Sequence, residues 1–306
     1  MTRPTFADPK TDFTFKRIFG SEEHKDVLLA FLNHILDLDG PHRIVAVELL
    51  PPEQRPAVAE LKLSIVDVKC TDQRGVTYSV KLQVLQVEGF ERCVVDNVGK
   101  TYTNQGARAE HYPGQNDVVG ITISDFDLWP DGREPELPML SRWRMKERDR
   151  GAKDLSEIRL VFLELPKYDA RQPPKTPVET WAYFFRETDK LNVVPEMLME
   201  HPFVDALEAM RIARFTVDEW DPYILSGMAI QNKRGALSFA EKRGRAKGLA
   251  DAREEGRAEG MRAAVEAICT MLGVEVTEER RNELARLDAN ETKELIARLQ
   301  QTKSWS

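Results

Sequence analysis

The sequence predicts an α/β fold, with a mixed sheet flanked by helices, followed by an all-helical C-terminal region. Two runs rich in branched and aromatic residues flank a short polar turn at residues 71–75, a pattern typical of a β-hairpin. The continuous apolar run at 118–124 predicts a buried strand, and two further strands are expected at 139–145 and 158–165. Helical patterns lie between these runs, and beyond residue 177 only helical spacing recurs, so the sheet is confined to the first part of the chain.

The segment before the hairpin contributes a helix and a strand. After Gly20, Ser21 is a plausible N-cap, and apolar residues then recur at helical spacing through Leu36. Residues 44–50 form a β-branched run that two prolines stop, which predicts a strand. After the hairpin, residues 90–111 alternate apolar and polar faces at helical spacing, which predicts an amphipathic helix.

The predicted hairpin brings unlike polar residues together. If its loop centres near residue 74, Asp67 lies opposite Lys81. Alternation then places Lys81 and Gln83 on one face of the sheet and the apolar Val80 and Leu82 on the other. An acid, a base and an amide on one face make either a reaction centre or a salt-bridged pair of strands.

The C-terminal part begins with a proline-rich linker at 169–177. Four glycines recur at multiples of four residues within a charged helical stretch at 241–261. Each glycine costs a helix about 1 kcal/mol relative to alanine. This stretch is therefore either a face that another helix approaches closely or a solvated, marginal linker. Helices are predicted over 178–188, 192–200, 203–213 and from 217 onward, with a closing helical hairpin within 264–300.

These patterns divide the chain into three predicted parts. Residues 1–170 form an α/β domain, residues 171–232 a helical extension, and residues 233–306 the charged glycine-repeat helix with the C-terminal helical hairpin. We expect the C-terminal helices to mediate assembly into a homo-oligomer.

Composition limits the classes of protein that fit. The formal net charge of −7 over 306 residues does not indicate a nucleic-acid binder, so local basic clusters would have to bind one. The three cysteines are far apart, which argues against a disulfide framework and a cysteine-based zinc site. No run of about 18 apolar residues occurs, and the N-terminus lacks the apolar core of a signal peptide. A cytoplasmic location without membrane contact is expected.

The hairpin pattern also fits phosphodiester chemistry. Carboxylates on adjacent strands can share a divalent metal that neutralises phosphate charge and activates water. Asp67 and Gln83 suit such a hairpin, but the position of the second acid holds Lys81. From spacing alone, a cross-strand ion pair between Asp67 and Lys81 is the more economical interpretation.

A series of motifs in fixed order resembles one family along nearly the whole chain. The chain is similar to the recombination-promoting nuclease/putative transposase family of the PD-(D/E)XK nuclease superfamily. The stretches that resemble it are DPKTDFTFKRIFGSEE at 8–23, KLSIVDV at 62–68, YSVKLQVL at 78–85, residues 121–129, FLELPK at 162–167 and WAYF at 181–184.

The resemblance implies a restriction-endonuclease-like fold and a Mg²⁺-dependent DNA endonuclease linked to recombination or transposase-like DNA processing. Carried onto this chain, Asp67 is the metal-binding aspartate, and Gln83 replaces the lysine of the superfamily that helps to position water or phosphate. Lys81 stands where the family expects glutamate. This exchange changes the local charge by two units and removes an oxygen ligand, so we expect metal binding and hydrolysis to be lost or strongly reduced. The alternative is a catalytically inactive DNA-binding or oligomeric interaction protein on the same fold.

Other residues could contribute to metal or DNA binding. A second acid could come from Glu23, Glu48 or Glu60, although each is also an ordinary structural residue at its position. Basic residues form two candidate DNA-binding patches: Lys10, Lys16 and Arg17 near the first helix, and Arg243, Arg245 and Lys247 in the glycine-repeat helix. The second patch is equally well interpreted as a solvated helix with intrahelical ion pairs.

Overall fold

The computed structural model describes residues 5–54, 64–106, 115–130, 137–151 and 153–305. By its contacts the chain forms two compact units, residues 1–233 and residues 234–306. The first unit contains the sheet, and the second is helical within the described residues.

Two helices open the first unit. Helix α1 spans Asp12–Phe19, and its N-cap Thr11 accepts a hydrogen bond from the Thr14 backbone N–H. Helix α2 spans Lys25–Leu36 and begins only after a single turn of 3-10 helix at Glu22–His24. Ser21 therefore precedes that turn, and its side chain makes no capping hydrogen bond, so the prediction of Ser21 as the N-cap of the long helix is wrong.

The sheet that positions the site has six strands among the described residues, in the order β1-β4-β5-β6-β8-β7. Strands β5, β6 and β8 are parallel, whereas β1, β4 and β7 pair antiparallel. The predicted mixed sheet is thus confirmed. Strands β2 and β3 form a separate antiparallel pair. The bounds are β1 Val47–Leu50, β2 Glu53–Gln54, β3 Ser64–Ile65, β4 Val68–Asp72, β5 Thr77–Gln83, β6 Val118–Ser124, β7 Leu140–Lys146 and β8 Asp154–Glu164.

Helices cover both faces of the sheet. Helix α3, Phe90–Gly106, lies against β6 at Gly120, where an added Cβ atom would come within 2.3 Å of the Val98 side chain. Only glycine permits this close approach. On the opposite face, α1 and α2 pack against helix α4, Pro177–Glu187, through a cluster of buried aromatic rings. The rings belong to Phe15, Phe19, Phe31, Trp181, Phe184, Phe185 and Phe203.

The first unit joins chain segments that are distant in sequence. Phe6 forms an antiparallel bridge with Arg211. The Ala7 N–H donates to the Met210 carbonyl at 2.9 Å, and the Ile212 N–H donates to the Thr5 carbonyl at 3.1 Å. The N-terminal segment therefore completes its backbone hydrogen bonds only with residues about 200 positions later.

The helical part departs from prediction in two places. The helix predicted over residues 203–213 ends at Ala209, and a 3-10 turn follows at Ile212–Arg214. The helix predicted over residues 192–200 is wrong, because only a single 3-10 turn forms there, at Glu196–Leu198. Pro195 precedes the turn and disfavours helical geometry at Val194. The remaining helices are α5 Phe203–Ala209, α6 Val217–Leu272, α7 Glu278–Arg286 and α8 Ala289–Thr302. None of the helices in the described part of the chain is long and apolar enough to cross a membrane.

Candidate functional site

The β4–β5 hairpin has the predicted register. Its turn is closed by Asp72, whose carboxylate accepts the backbone N–H groups of Arg74 and Val76, and Gly75 adopts a positive φ of 84°. Val68 pairs with Val80, so Asp67 comes to lie opposite the next residue of β5, Lys81. The Asp67 N–H continues the ladder by donating to the Val80 carbonyl at 3.1 Å.

The Asp67 carboxylate has both oxygens engaged. Oδ1 accepts a hydrogen bond from Lys81 Nζ at 2.9 Å, and Oδ2 accepts the Leu82 backbone N–H at 2.6 Å. Asp67 is only 8% exposed, whereas the Lys81 side chain is 28% exposed. The acid is therefore held inside the protein by a lysine that reaches it from the solvent side.

Burial has the largest effect on the pKa of Asp67. It raises the pKa of Asp67 above its usual value, and the Lys81 ammonium together with the Leu82 N–H partly counteracts this. A weaker repulsion from the Asp12 carboxylate raises the pKa further. The ion pair thus stabilises a desolvated carboxylate, as ion pairs with a purely structural role do.

Asp67 and Lys81 face a cleft of about 730 Å³, which we call the hairpin cleft. It is bounded by α1, the carboxyl end of β5 and the first turns of α6. Five cationic side chains and three carboxylates line it, an excess of two positive charges in a chain whose formal net charge is −7. The cations are Lys10, Lys16, Arg17, Lys81 and Lys233, and the acids are Asp12, Asp67 and Glu219.

Most of these cations already have carboxylate partners. Lys10 pairs with Asp125 at 3.1 Å and Lys16 with Asp12 at 2.9 Å. Arg17 pairs with Glu219, lies over the Phe215 ring and donates to a backbone carbonyl. Lys233, by contrast, is exposed and forms no ion pair with any residue that the structure describes. The cleft therefore combines anchored cations with one that is available to an anion.

The structure brings together the residues of the first basic patch and the hairpin. Lys10, Lys16 and Arg17 line the same cleft as Asp67, Lys81 and Gln83. Sequence reasoning did not single out Asp12, Glu219 or the start of α6 as parts of the site. Asp12 lies within a motif of the family resemblance, but no local pattern connects Glu219 with a hairpin some 140 residues earlier.

Gln83 lies at the end of β5, two residues beyond Lys81 on the same face. Its Nε2 donates to the Leu85 carbonyl at 2.7 Å, which fixes the amide against the chain that follows the strand. The amide oxygen remains as an acceptor beside the cleft. A positioning role for Gln83 stays a prediction, and its neutral amide supplies no second negative charge.

The candidate replacement acids lie elsewhere or outside the described residues. Glu23 is on the turn before α2, 3.9 Å from His24 and with a side chain that is 80% exposed, and it does not line the hairpin cleft. Glu48 is on β1 opposite Thr71, two strands from β5. Glu60 lies outside the residues that the structure describes.

The second basic patch lies on α6 in the second unit. Arg243, Arg245 and Lys247 are all exposed, and Arg243 lies over the Phe239 ring at 5.8 Å. Their role in DNA binding stays a prediction.

A divalent cation does not fit the described side chains of the hairpin. Mg²⁺ requires several oxygen ligands in near-octahedral geometry. Asp67 supplies one carboxylate whose two oxygens are already bonded, and the ammonium of Lys81 lies 2.9 Å from Oδ1, where a cation would be repelled. Within the described ranges, no three His, Cys, Asp or Glu side chains are grouped so that they could hold a metal.

A second buried carboxylate has the same set of partners. Glu164, at the end of β8, is fully buried; its Oε1 accepts Lys167 Nζ at 2.8 Å and its Oε2 accepts the Leu128 N–H at 2.8 Å. Lys167 is 13% exposed. The pair lies outside the lining of the hairpin cleft and fixes the chain that leaves the sheet.

The comparisons with known proteins agree with this fold. The family model described as PD-(D/E)XK nuclease family transposase matches residues 9–233, which include the six-stranded sheet and the whole lining of the hairpin cleft. No curated protein and no solved structure is significantly similar to the chain. The match confirms the resemblance seen in the sequence and its restriction-endonuclease-like fold, and it supports a nuclease-like function with DNA as the substrate class. The chain belongs to the PD-(D/E)XK nuclease family transposases.

Proposed function

We propose that this chain is a DNA-binding protein on the nuclease fold in which Mg²⁺-dependent hydrolysis of DNA is lost or strongly reduced. The observation that carries the proposal is the ion pair between Lys81 Nζ and Asp67 Oδ1, at 2.9 Å. It neutralises the acid that the family uses for the metal, and it places an ammonium at the position of the expected glutamate.

The charge of the hairpin cleft supports DNA binding. Phosphate groups bind lysine and arginine with release of counterions, so affinity falls steeply with salt. Lys233 is the cation best placed to meet a phosphate, because it forms no ion pair with a described residue. Lys81 is partly exposed but, like Lys10, Lys16 and Arg17, must first exchange its carboxylate partner. We therefore expect weak binding that depends strongly on ionic strength.

The loss of hydrolysis follows from the chemistry of the described groups. A protonated lysine has no lone pair to offer a metal. A cation entering beside Asp67 would also have to displace both the Lys81 ammonium and the Leu82 N–H. Neither displacement is compensated by another described carboxylate, because Asp12 is bound to Lys16.

The decisive experiment is Lys81→Glu, with Lys81→Gln as the matched control that removes the ammonium without adding a carboxylate. Mg²⁺ binding is measured by calorimetry, and hydrolysis by nicking of supercoiled plasmid DNA. We expect neither Mg²⁺ binding nor nicking in the native chain. Lys81→Glu should bind Mg²⁺ stoichiometrically and nick the plasmid, whereas Lys81→Gln should gain neither property. Nicking by the native chain at the level of Lys81→Glu would overturn the proposal.

Glu60 gives a second arm to the same experiment. If the native chain binds Mg²⁺ stoichiometrically and nicks plasmid DNA, and Glu60→Gln abolishes both, Glu60 supplies the missing carboxylate and the chain is an active nuclease. No Mg²⁺ binding in either the native chain or Glu60→Gln supports the ion pair as the dominant feature. The same measurement on Glu23→Gln and Glu48→Gln tests the other two acids.

DNA binding is tested separately by fluorescence anisotropy of a labelled duplex. Lys81→Gln and Lys233→Gln should each weaken binding and lower the slope of log affinity against log salt by about one. Lys153→Gln removes an exposed lysine outside the cleft and should change neither quantity. Equal effects of all three variants would contradict binding in the cleft.

We also infer assembly through the C-terminal helices and a cytoplasmic role in recombination or transposase-like DNA processing. The exposed apolar side chains of Leu237, Phe239 and Leu249 on α6 support assembly, as do glycines such as Gly248 that have no atom within 4 Å of an added Cβ. Sedimentation of the full chain tests this; a monomer at micromolar concentration would contradict it.

A further inference from the structure

A second cleft, of about 520 Å³, lies at the opposite end of β5 from the hairpin cleft. Four guanidinium groups line it, and we call it the arginine cleft; they belong to Arg74, Arg142, Arg144 and Arg159. Neither the family resemblance nor the proposed function involves these residues. Its volume lies within the range of small-molecule sites, about 300–1,000 Å³.

The floor of the arginine cleft is apolar. Tyr78, Val119 and Val161 are buried neighbours on β5, β6 and β8, on the face opposite Lys81. Leu36 and Leu38, at the end of α2, form one wall. The cleft therefore offers a ligand an apolar surface beneath a set of cations.

Three of the arginines are cross-strand neighbours. Arg142 lies opposite Val161, and Arg144 lies directly opposite Arg159 in the antiparallel β7–β8 pair. Like charges directly opposite each other destabilise a sheet unless they are compensated. Arg144 is paired with Asp154 at 2.7 Å and Arg159 with Asp117 at 3.0 Å.

The described carboxylates do not pair with all the donors of these arginines. Arg142 donates only to a carbonyl, that of Ile35 in the last turn of α2, at 2.9 Å. The Nε of Arg159 is buried and donates to none of the residues that the structure describes. A buried donor without an acceptor costs about 1–3 kcal/mol. A ligand cannot reach this buried Nε, but the Arg159 side chain is 41% exposed, and Arg142 has no carboxylate partner among the described residues, so both guanidiniums can present outer nitrogens to an anion.

The fourth guanidinium is held rigidly. Arg74 forms two hydrogen bonds to Asp72 Oδ2, from Nε at 2.9 Å and Nη2 at 2.6 Å, and the buried Tyr78 hydroxyl donates to the same oxygen at 3.0 Å. The Asp72 side chain is fully buried. This network orders one wall of the cleft before any ligand arrives, which lowers the entropic cost of binding.

We propose that the arginine cleft binds a small phosphate monoester with an apolar or ring-containing body. The guanidiniums of Arg142 and Arg159 bind the phosphate, and the body lies on Tyr78, Val119 and Val161. Arginine is suited to this task because its planar fork donates two parallel hydrogen bonds to phosphate oxygens. The four arginines exceed the paired acids Asp72, Asp117 and Asp154 by one charge, which favours an anionic ligand.

Calorimetry on the full chain tests the site, with phenyl phosphate as the probe and inorganic phosphate and phenol as its two halves. We expect one phenyl phosphate per chain, bound about tenfold or more tightly than inorganic phosphate, with no binding of phenol alone. Arg142→Gln and Arg159→Gln should each weaken binding about tenfold or more. Arg142→Lys keeps the charge without the fork and should also weaken it.

Arg148→Gln is the matched control, because Arg148 is exposed on the turn after β7 and does not line the cleft. Circular dichroism establishes that each variant is folded, and Arg142→Lys provides a test if a glutamine variant is not. Absence of phenyl phosphate binding, or binding that Arg142→Gln and Arg142→Lys leave unchanged, overturns the proposal. So does binding that Lys81→Gln removes, because it would belong to the hairpin cleft. A DNA affinity that falls in Arg142→Gln, without phenyl phosphate binding, would instead make this cleft a DNA contact.

Discussion

Asp67 and Glu164 are two buried acids with one lysine and one backbone N–H each, at nearly equal distances. They differ in surroundings. Glu164 is fully buried outside the hairpin cleft, whereas Asp67 borders that cleft and its lysine is 28% exposed. The same set of partners therefore occurs at one position inside the protein and at another beside a cleft. The difference in burial predicts different energetic costs when each pair is broken.

The largest effect is expected for Glu164→Gln. Removing the charge of the fully buried Glu164 leaves Lys167, which is only 13% exposed, without its carboxylate, and such changes cost roughly 3–5 kcal/mol in the free energy of unfolding. Denaturant unfolding measures the loss. Glu187→Gln is the matched control, because Glu187 pairs with the exposed Lys190 at the same sequence spacing of three. The control should cost less than about 1 kcal/mol, and an equal loss in both variants would contradict the role of burial.

A smaller effect is expected for Lys81→Met, about 1–3 kcal/mol at pH 7, because the hairpin cleft gives Asp67 partial access to water. The pKa of Asp67 is already raised by burial, and loss of the ammonium raises it further. An acid whose pKa is raised in the folded state stabilises the fold in its protonated form. This stabilisation is complete below the ordinary pKa of 3.8 and is lost as the pH rises through the pKa of the folded state. The deficit of the variant should therefore shrink as pH falls from 7 to 3.5, as measured by unfolding at several pH values.

The double variant Asp67→Asn with Lys81→Met removes both charges of the ion pair, so it tests whether the two side chains interact. Without a buried charge the loss of stability should be smaller than that of Lys81→Met alone at pH 7, and it should not depend on the titration of Asp67. A deficit in the double variant that equals the sum of the single deficits would show that the two side chains do not interact.

The smallest effect is expected at a partly buried acid, Asp8. Burial raises its pKa; the backbone N–H of Lys10 donates to Asp8 at 2.9 Å, but the Lys10 ammonium binds Asp125 instead. Asp8→Asn keeps the acceptor without the charge, so it should stabilise the protein at pH 7 by less than about 1 kcal/mol. The gain should vanish below pH 3.8, where the native acid is protonated in both states. Asp127→Asn, at an exposed acid, serves as the control, and a gain there of the same size and pH dependence would contradict the role of burial.

Local chemistry explains why the hairpin could be predicted from sequence. The turn residues fixed its register, and alternation along β5 placed Lys81 opposite Asp67 and away from the buried Val80. The boundaries of the helices were harder to predict from the sequence. Ser21 has the composition of an N-cap, yet the chain makes a 3-10 turn before α2, and Pro195 interrupts a stretch that is otherwise helical in composition.

The cleft as a whole could not be predicted in the same way. Lys233 and Glu219 meet the hairpin only because α6 lies across α1, where the Phe13 N–H donates to Ser226 Oγ at 3.2 Å. Such contacts depend on the packing of whole elements rather than on spacing along the chain. Likewise, no motif marks the arginine cleft, whose cations come from two strands and one turn.

The bridge between Phe6 and Arg211 has a consequence for synthesis on the ribosome. A chain that grows by about 5–20 residues per second leaves its first residues waiting roughly 10–40 seconds for their backbone partners. Phe6 and Ala7 are buried in the folded protein, but during that interval the residues that bond to their backbone have not yet been synthesised. The nascent protein thus leaves these apolar residues without their partners until residue 212 of 306 has been made.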